Sequence, residues 1–225
     1  MPEILQNEDE SPADLLLEHC RYGNLEGVRA TLKSGVGVNS RMSGKGFSGL
    51  MIALVKNHNE VVKLLLEQVD LDVNMDCNGS TAVHYAVHGN NVEGLHMLLQ
   101  RKDLDCCSVN KLDKLDCTPL KLALVYDYNH CLTLLLSDKR CDPNKKDDWK
   151  YTALTFAVSN DLPNCLNMLL TNHRVDPNIK SENSALMIAV KLNRTKVTSE
   201  LLLLMFMIIM MLKMNKEIKV FTYLL

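Results

Sequence analysis

The block Thr118-Pro-Leu-Lys-Leu-Ala123 decides the fold, because versions of it recur along the chain with alanine in the last place. The other versions are Ser48-Gly-Leu-Met-Ile-Ala53, Thr81-Ala-Val-His-Tyr-Ala86, Thr152-Ala-Leu-Thr-Phe-Ala157 and Ser184-Ala-Leu-Met-Ile-Ala189. Their alanines lie 33, 37, 34 and 32 residues apart, and a Leu pair follows each alanine after 12 and 13 residues. Such self-similarity is typical of a repeat architecture. An earlier unit, with His19 in the alanine place, extends the array toward the N-terminus.

Each unit is predicted to contain two helices that are held together through a short turn. Ser or Thr at the start of a block is a favourable N-cap, and Pro119 occupies the first helical position, where its missing N–H is harmless. The segment Val61-Val-Lys-Leu-Leu-Leu66 places apolar residues at helical spacing, which predicts a second, amphipathic helix. The variable period must be absorbed in the exposed loop between units.

The pattern resembles that of the ankyrin-repeat family. The blocks at Thr118 and Thr81 nearly reproduce the family's T-P-L-H-x-A helix start, and Val38-Asn39, Val73-Asn74 and Val109-Asn110 match its V-N loop. The resemblance implies an all-α, ankyrin-type helix–turn–helix solenoid of about six repeats with short hairpin-like loops between them. It also implies that His84 is a structural residue that hydrogen-bonds within and between repeats. Because the later loops lack the family's glycine after the second helix, we expect them to be longer and less tightly capped.

The extent of the repeat predicts three segments. Residues 1–13 are acidic and are expected to form a flexible N-terminus, residues 14–203 form the array, and residues 204–225 form a hydrophobic and then basic tail. The 12 apolar residues between Glu200 and Lys213 are fewer than the roughly 20 that a membrane span needs. Contact of this tail with a membrane is therefore the lesser alternative. Because a terminal repeat is normally polar on its outer face, the apolar end indicates a fragment or alternative C-terminus of a longer repeat protein.

Composition narrows the class of function. The chain has 225 residues, 47% of them hydrophobic, and a formal net charge of -2. It therefore lacks the strongly basic balance that attracts nucleic acid, and we predict no nucleic-acid partner. The acidic start has no apolar secretory segment, which predicts a cytoplasmic protein, with the nucleus as the other location. In these compartments the eight cysteines are expected to be reduced and to act as small buried hydrophobes.

Two motifs could carry chemistry but fit structural roles better. Gly44-Lys-Gly-Phe-Ser-Gly49 matches a dinucleotide-binding pattern, yet no predicted βαβ unit surrounds it. His84 and His88 have the spacing of two metal ligands on one helix, but the glutamate of a zinc protease motif is missing. The sequence shows no arrangement typical of a catalytic triad. We therefore predict no enzymatic activity, no cofactor and no metal ion.

Binding of another protein, of unknown identity, by a monomeric scaffold or adaptor is the prediction that remains. In ankyrin-like stacks the loop tips and first helices form a concave face, and the positions that flank each block point toward it. The predicted partner-binding residues are Tyr22, Phe47, Lys56, Asn78, His88, Lys114, Tyr126, Asp148, Trp149, Tyr151 and Asn160, with Arg21 beside them. Five of these residues are aromatic, as interface anchors often are, although aromatic side chains can also stiffen neighbouring loops.

Two other functions stay open at this point. The chain could be the N-terminal cytosolic segment of an ankyrin-bearing membrane ion channel, in which case a longer product would contain several apolar spans of roughly 20 residues. It could also target an enzyme that a partner or a further domain carries, in which case this chain alone would show no turnover.

Overall fold

A computed structural model describes residues 11–42, 46–179 and 184–203. The chain divides into two compact units, residues 1–142 and residues 143–225. The first unit contains α1 (Pro12–Tyr22), α2 (Leu25–Lys33), α3 (Gly49–Val55), α4 (Asn59–Leu66), β1 (Asp76–Cys77), β2 (Ser80–Thr81), α5 (Ala82–His88), α6 (Val92–Gln100), α7 (Cys106–Asn110), α8 (Pro119–Val125) and α9 (Asn129–Ser137). The second contains α10 (Ala153–Ser159), α11 (Pro163–Thr171) and α12 (Ala185–Lys191), and residues 195–203 are also helical. The expected all-α class and its helix–turn–helix units are confirmed.

The predicted N-caps start the first helix of each repeat. The Thr118 hydroxyl accepts a hydrogen bond from the Lys121 backbone N–H at 3.1 Å, and the Ser184 hydroxyl accepts one from the Met187 N–H at 3.3 Å. The turn between first and second helices is equally regular, because one residue in each turn adopts a left-handed conformation. These residues are Gly23, Asn57, Asn90, Asp127, Asp161 and Asn193. Glycine, asparagine and aspartate are the residue types that adopt this conformation most readily, so the turn stays short.

The alanines and leucines that recur at a constant spacing form the core of the repeats. In the first unit α1, α3, α5 and α8 pack side by side, and each packs on its own second helix or on the neighbouring first helix. The alanines that end the five blocks are all 0% exposed, and so are Leu65, Leu98 and Leu135, the first members of three Leu pairs. Gly89 shows how closely the first helices approach, because a Cβ atom there would lie 2.8 Å from the Leu54 carbonyl oxygen. Small residues thus set the distance between repeats.

An asparagine ladder connects successive loops. In the first unit the Asn74 side chain donates to the Asp103 carbonyl at 2.7 Å and accepts from the Asp105 N–H at 3.0 Å. Asn39 and Asn110 bridge the next loop in the same way, and Asn144 does so within the second unit, to Arg174 and Asp176. These are the asparagines that mark the repeat period in the sequence. Each one satisfies a backbone donor and a backbone acceptor that the loop itself leaves unpaired.

Loss of one ladder residue should destabilise the protein measurably. We expect Asn144→Ala to lower the free energy of unfolding by about 1.5 kcal/mol, because two backbone hydrogen bonds to Arg174 and Asp176 are lost together. Urea denaturation followed by circular dichroism measures the change. Asn167→Ala is the control, since Asn167 lies exposed on α11. Equal midpoints for the two variants would show that the ladder does not contribute to stability.

The C-terminal ends of α4 and α6 are capped by arginines from the loop that ends the next repeat, so the expectation of weaker capping is wrong at these two helices. The Arg101 guanidinium donates to the Leu66 carbonyl. The Arg140 guanidinium donates to the carbonyls of Leu99, Arg101 and Leu104 at 2.6, 2.8 and 2.9 Å. Asp103 and Asp138 hold these two guanidinium groups, each at 2.6 Å. The fork of N–H donors thus satisfies the carbonyls that glycine motifs satisfy elsewhere.

The long connection before α8 contains a helix that the sequence analysis missed. Val109 and Asn110 were expected in a loop but form the end of α7, in the repeat with the 37-residue spacing. Asp105 starts this helix, because its carboxylate accepts a hydrogen bond from the Ser108 N–H at 2.5 Å. At the start of the chain α1 begins at Pro12, two residues before the predicted boundary. The tail at residues 204–225 and the segment 1–10 lie outside the described residues.

Candidate functional site

Exposed side chains gather where the first helices of the first unit end. Arg21 belongs to the last turn of α1, Lys56 is the C-cap of α3, His88 ends α5, and Tyr126 is the C-cap of α8. All four are exposed, and the helices that carry them are neighbours in the packing. We call the surface formed by these four residues the first-helix face. Residues two or three positions after the alanine place of successive repeats therefore lie on one surface of this unit.

An apolar cleft opens at one end of the first-helix face. It has a volume of about 300 Å³ and is lined by Arg21, Met42, Phe47, Met51, Ile52, Val55, Lys56 and Tyr85. The rings of Phe47 and Tyr85 meet edge to face with their centroids 5.6 Å apart. This arrangement fixes one wall of the cleft, which we call the first-unit cleft. Three residues that the sequence assigned to partner binding, Arg21, Phe47 and Lys56, thus share one depression.

The charges of the first-unit cleft are all positive. No acidic residue lines it, and neither Arg21 nor Lys56 forms an ion pair within the described parts of the chain. By contrast, Lys111 binds Asp76 at 2.5 Å, and Arg140 binds Asp138 at 2.6 Å. Burial is the main cause that raises the pKa of Tyr85 to about 12, so its phenol is neutral at physiological pH. The cleft therefore combines apolar walls with two available cations.

A row of stacked rings continues the first-helix face beyond the cleft. The His88 and Tyr126 rings have centroids 5.4 Å apart at an interplanar angle of 33°, and the Tyr126 and Tyr128 rings stack at 5.4 Å and 27°. Tyr126 remains 40% exposed despite these contacts. His88 lies one helical turn after Tyr85 on α5, so the row begins next to the cleft wall. We call these three rings the aromatic row.

The remaining predicted residues lie in other places. Tyr22 is 70% exposed at the end of α1, and Lys114 is exposed in the loop before α8. Asn78 has a positive φ of 52° at the tip of the β1–β2 hairpin, so its place is explained by turn geometry. In the second unit the loop before α10 carries Asp148, Tyr151 and Trp149, which is 77% exposed, and Asn160 is the C-cap of α10.

Two ring residues of the site were missed by the sequence analysis. Tyr85 lies inside a repeat block, at a position where Ile52, Leu122 and Ile188 are buried, and Tyr128 is the N-cap of α9. The sequence analysis did not assign either residue to partner binding. A helical spacing of three residues between Tyr85 and His88 was the available signal for Tyr85.

His84 has the structural role that the resemblance implied. Its Nδ1 accepts a hydrogen bond from the Thr81 N–H at 3.1 Å, and its Nε2 therefore carries the proton and donates to the Cys117 carbonyl of the next repeat at 3.1 Å. Thr81 completes the link by donating its hydroxyl proton to the Ser108 carbonyl at 2.9 Å. Both ring nitrogens of His84 are thus engaged within the fold. Burial, as the first cause, lowers the pKa of His84.

The lowered pKa of His84 predicts a pH-dependent stability. The folded chain resists protonation of this imidazole, whereas the unfolded chain takes the proton below the ordinary pKa of 6.5. The contribution of His84 is therefore complete above that pH and is lost as the pH falls. We expect the stability difference between the wild type and His84→Thr to shrink from pH 7 to pH 5, by up to about 1.4 kcal/mol per pH unit.

Urea denaturation at several pH values checks this expectation. Threonine is a suitable replacement, because Thr155 occupies the same position in the second unit and accepts from the Thr152 N–H at 2.7 Å. The other histidines are present in both proteins, so their effects cancel in the difference. A difference that stays constant between pH 7 and pH 5 would contradict the role of His84.

The motifs considered for chemistry have packing roles where the structure describes them. Gly49 belongs to the glycine motif but starts α3, where a Cβ atom would lie 2.9 Å from the Cys20 sulfur. Gly44 and Lys45 of this motif lie outside the described residues. Six of the eight cysteines are buried, and burial raises the pKa of Cys20 to about 12 and of Cys131 to about 11. Cys106 and Cys107 are exposed. Among the described residues, no group of three or more His, Cys, Asp and Glu side chains could hold a metal ion.

Comparison with known proteins identifies the type of repeat. A family model for ankyrin repeats in three copies matches residues 16–113 and again residues 120–206. The human transient receptor potential cation channel subfamily A member 1 is 32% identical over 139 residues, which cover 56% of this chain and 12% of that protein. The ankyrin repeat protein FPV223 of fowlpox virus (strain NVSL) is 37% identical over 81 residues, which cover 36% of this chain and 55% of that protein. The matches thus span 12% and 55% of these relatives. Within the described ranges, no helix combines the length and apolar character that a membrane crossing requires.

Proposed function

Because the chain belongs to the ankyrin-repeat family, whose repeats form protein-interaction modules, we propose that it is a non-enzymatic scaffold or adaptor that binds a partner protein through the first-helix face. Arg21, Lys56, His88 and Tyr126 of this face are among the residues that the sequence analysis assigned to a concave binding surface. We further propose that the chain acts as a monomer in the cytoplasm or nucleus.

The observation that carries the proposal is the continuity of the first-unit cleft with the aromatic row. Exposed aromatic rings with polar ends are frequent anchors of protein interfaces, since they bury a large area at a low cost in side-chain entropy. The Tyr126 ring contacts the His88 ring on one side and stacks on the Tyr128 ring, so the three rings restrict one another before a partner binds. A partner would therefore meet a surface whose ring positions are largely fixed.

Affinity capture tests the proposal. The wild type and the double variant His88→Ala/Tyr126→Ala would each be immobilised and incubated with cytosolic extract and with detergent-solubilised membranes. We expect proteins captured by the wild type to be depleted at least tenfold by the double variant, because an interface anchor contributes on the order of 2 kcal/mol. A separate variant, Trp149→Ala, tests whether the second unit contributes to the capture of partner proteins.

The matched control is His96→Ala/His130→Ala. Both histidines are exposed, but they lie on the second helices α6 and α9 rather than on the first-helix face. The control should capture the same proteins as the wild type. If it loses them while the double variant at His88 and Tyr126 keeps them, the proposed binding face is wrong.

The similarity to a human cation channel supports a second candidate function. In this alternative the chain is the N-terminal cytosolic ankyrin segment, as a fragment or isoform, of a membrane ion channel. The membrane fraction of the capture experiment distinguishes the two. Capture of a channel subunit only from solubilised membranes, with no dependence on His88 and Tyr126, would favour the channel segment. A longer gene product with several apolar segments of roughly 20 residues would support it independently.

A further inference from the structure

The first-unit cleft combines a shape and a charge pattern that together specify the chemistry of an occupant. Its volume of about 300 Å³ lies at the lower end of cavities that hold small ligands, which suits one or two side chains of a peptide. Met42 and Met51 form part of the wall, and methionine side chains adapt to apolar groups of different shape. The walls therefore accommodate a large aliphatic or aromatic side chain without requiring one particular residue.

The two cations, Arg21 and Lys56, are positioned to bind an acidic group next to the apolar side chain of the occupant. Arg21 lies close to the apolar wall, because its guanidinium approaches the Met42 sulfur at 3.8 Å. Lys56 enters the cleft lining from the end of α3, and among the described residues no carboxylate lines the cleft to neutralise either group. By contrast, Arg101, Arg140 and Arg194 are each held by an aspartate. Arg21 and Lys56 can therefore bind a carboxylate of a partner without first breaking an ion pair to any described residue of this chain.

We propose that the first-unit cleft binds a linear segment of a partner protein in which an apolar side chain is flanked by an acidic residue. This inference rests on the proposed function and adds the class of partner sequence. The apolar side chain fills the space between Phe47, Val55 and Tyr85, and the flanking carboxylate meets Arg21 and Lys56. The segment then continues along α5 from Tyr85 onto the aromatic row, which contacts its next residues.

Selection from a displayed library of random peptides tests the partner class directly. The bait is the full chain, either wild type or Arg21→Glu/Lys56→Glu. Wild type is expected to enrich peptides with Asp or Glu within two positions of a large apolar residue. A synthetic copy of the most enriched peptide should bind the charge-reversed variant at least tenfold more weakly. Its affinity for the wild type should also fall when the salt concentration rises.

Two further variants make the result specific. Lys63→Glu/Lys102→Glu changes the net charge by the same amount at exposed lysines outside the cleft, so the selected peptide should bind it as it binds the wild type. Val55→Trp places a larger side chain in the cleft without altering charge, and it should reduce binding at least tenfold. Circular dichroism confirms that each variant retains the helical fold.

Several outcomes would overturn the inference. The inference is wrong if the library enriches basic or uncharged peptides. It is also wrong if the selected peptide binds the charge-reversed variant or Val55→Trp as tightly as it binds the wild type. Selection of no peptide at all would also overturn it, because the cleft is proposed to bind linear segments. The proposed function fails separately, when the capture of partner proteins does not depend on His88 and Tyr126.

Discussion

Replacing Arg140 by alanine is expected to lower the free energy of unfolding by about 3 kcal/mol. The Arg140 guanidinium donates to three backbone carbonyls, of Leu99, Arg101 and Leu104, and the variant leaves all three without this partner. It also removes the paired cation from Asp138, whose side chain is 10% exposed. A carboxylate with so little access to water is costly to leave without its cation. Urea denaturation followed by circular dichroism measures the loss.

Two further substitutions distinguish the contribution of the guanidinium hydrogen bonds to stability from that of the positive charge. Arg140→Lys keeps the positive charge but cannot reach three carbonyls and a carboxylate together, so an intermediate loss is expected. Arg29→Ala removes an exposed arginine that faces Glu26 at 4.0 Å, and such a pair contributes little. If Arg140→Ala unfolds at the same urea concentration as Arg29→Ala, capping by the next loop does not stabilise the repeats.

Substitution of Ala123 by phenylalanine is expected to cost about 3 kcal/mol or more. Ala123 is 0% exposed on α8, where the helix packs against α5 and α9. A ring at this position has no space and must push the neighbouring repeats apart. Because Tyr126 and His88 lie on α8 and α5, the contact between their rings should be disturbed and partner binding should weaken, although Ala123 itself contacts no partner.

Ala30→Phe provides the matched control for this overpacking. Ala30 is exposed on the helix α2, so a phenylalanine there meets solvent rather than a neighbouring helix. Thermal unfolding followed by circular dichroism should show a clear decrease in the melting temperature for Ala123→Phe and little change for Ala30→Phe. Equal melting temperatures would contradict the close packing that the block alanines are inferred to maintain.

The elements that local spacing determines could be predicted from the sequence. Alanine and leucine at a constant offset of 12 residues specify two helices that pack on each other, and the structure shows Ala86 and Leu98 fully buried. Thr and Ser at the block starts were correctly interpreted as N-caps for the same reason. These signals depend only on residues within one repeat, so they can be recognised in a single sequence.

Features that depend on contacts between repeats could not be predicted in this way. Arg140 caps the carbonyl of Leu99, which lies 41 residues earlier, and no local pattern indicates that contact. The helix α7 depends on one side-chain cap at Asp105 in a loop whose length is unusual for the array. Both features arise from tertiary packing or from a single hydrogen bond rather than from periodicity.

The candidate site was predicted in part. The repeat register placed Lys56, His88 and Tyr126 just after the block alanines, and in the structure these residues lie at the ends of the first helices. The register could not show that Tyr85 forms a wall of the first-unit cleft, because its position in the block is that of a core residue. A partner-binding role stays a prediction for all of the assigned residues: Tyr22, Phe47, Lys56, Asn78, His88, Lys114, Tyr126, Asp148, Trp149, Tyr151 and Asn160.

The most direct test of the account is site-specific photo-crosslinking in cells that express the chain. A benzophenone amino acid would replace Lys56 or Tyr126 on the first-helix face, or His96 or His130 on the second helices. The account predicts that positions 56 and 126 form covalent adducts with the same partner protein, whereas positions 96 and 130 form none. Adducts only from positions 96 and 130, or from no position, would contradict protein binding through the first-helix face.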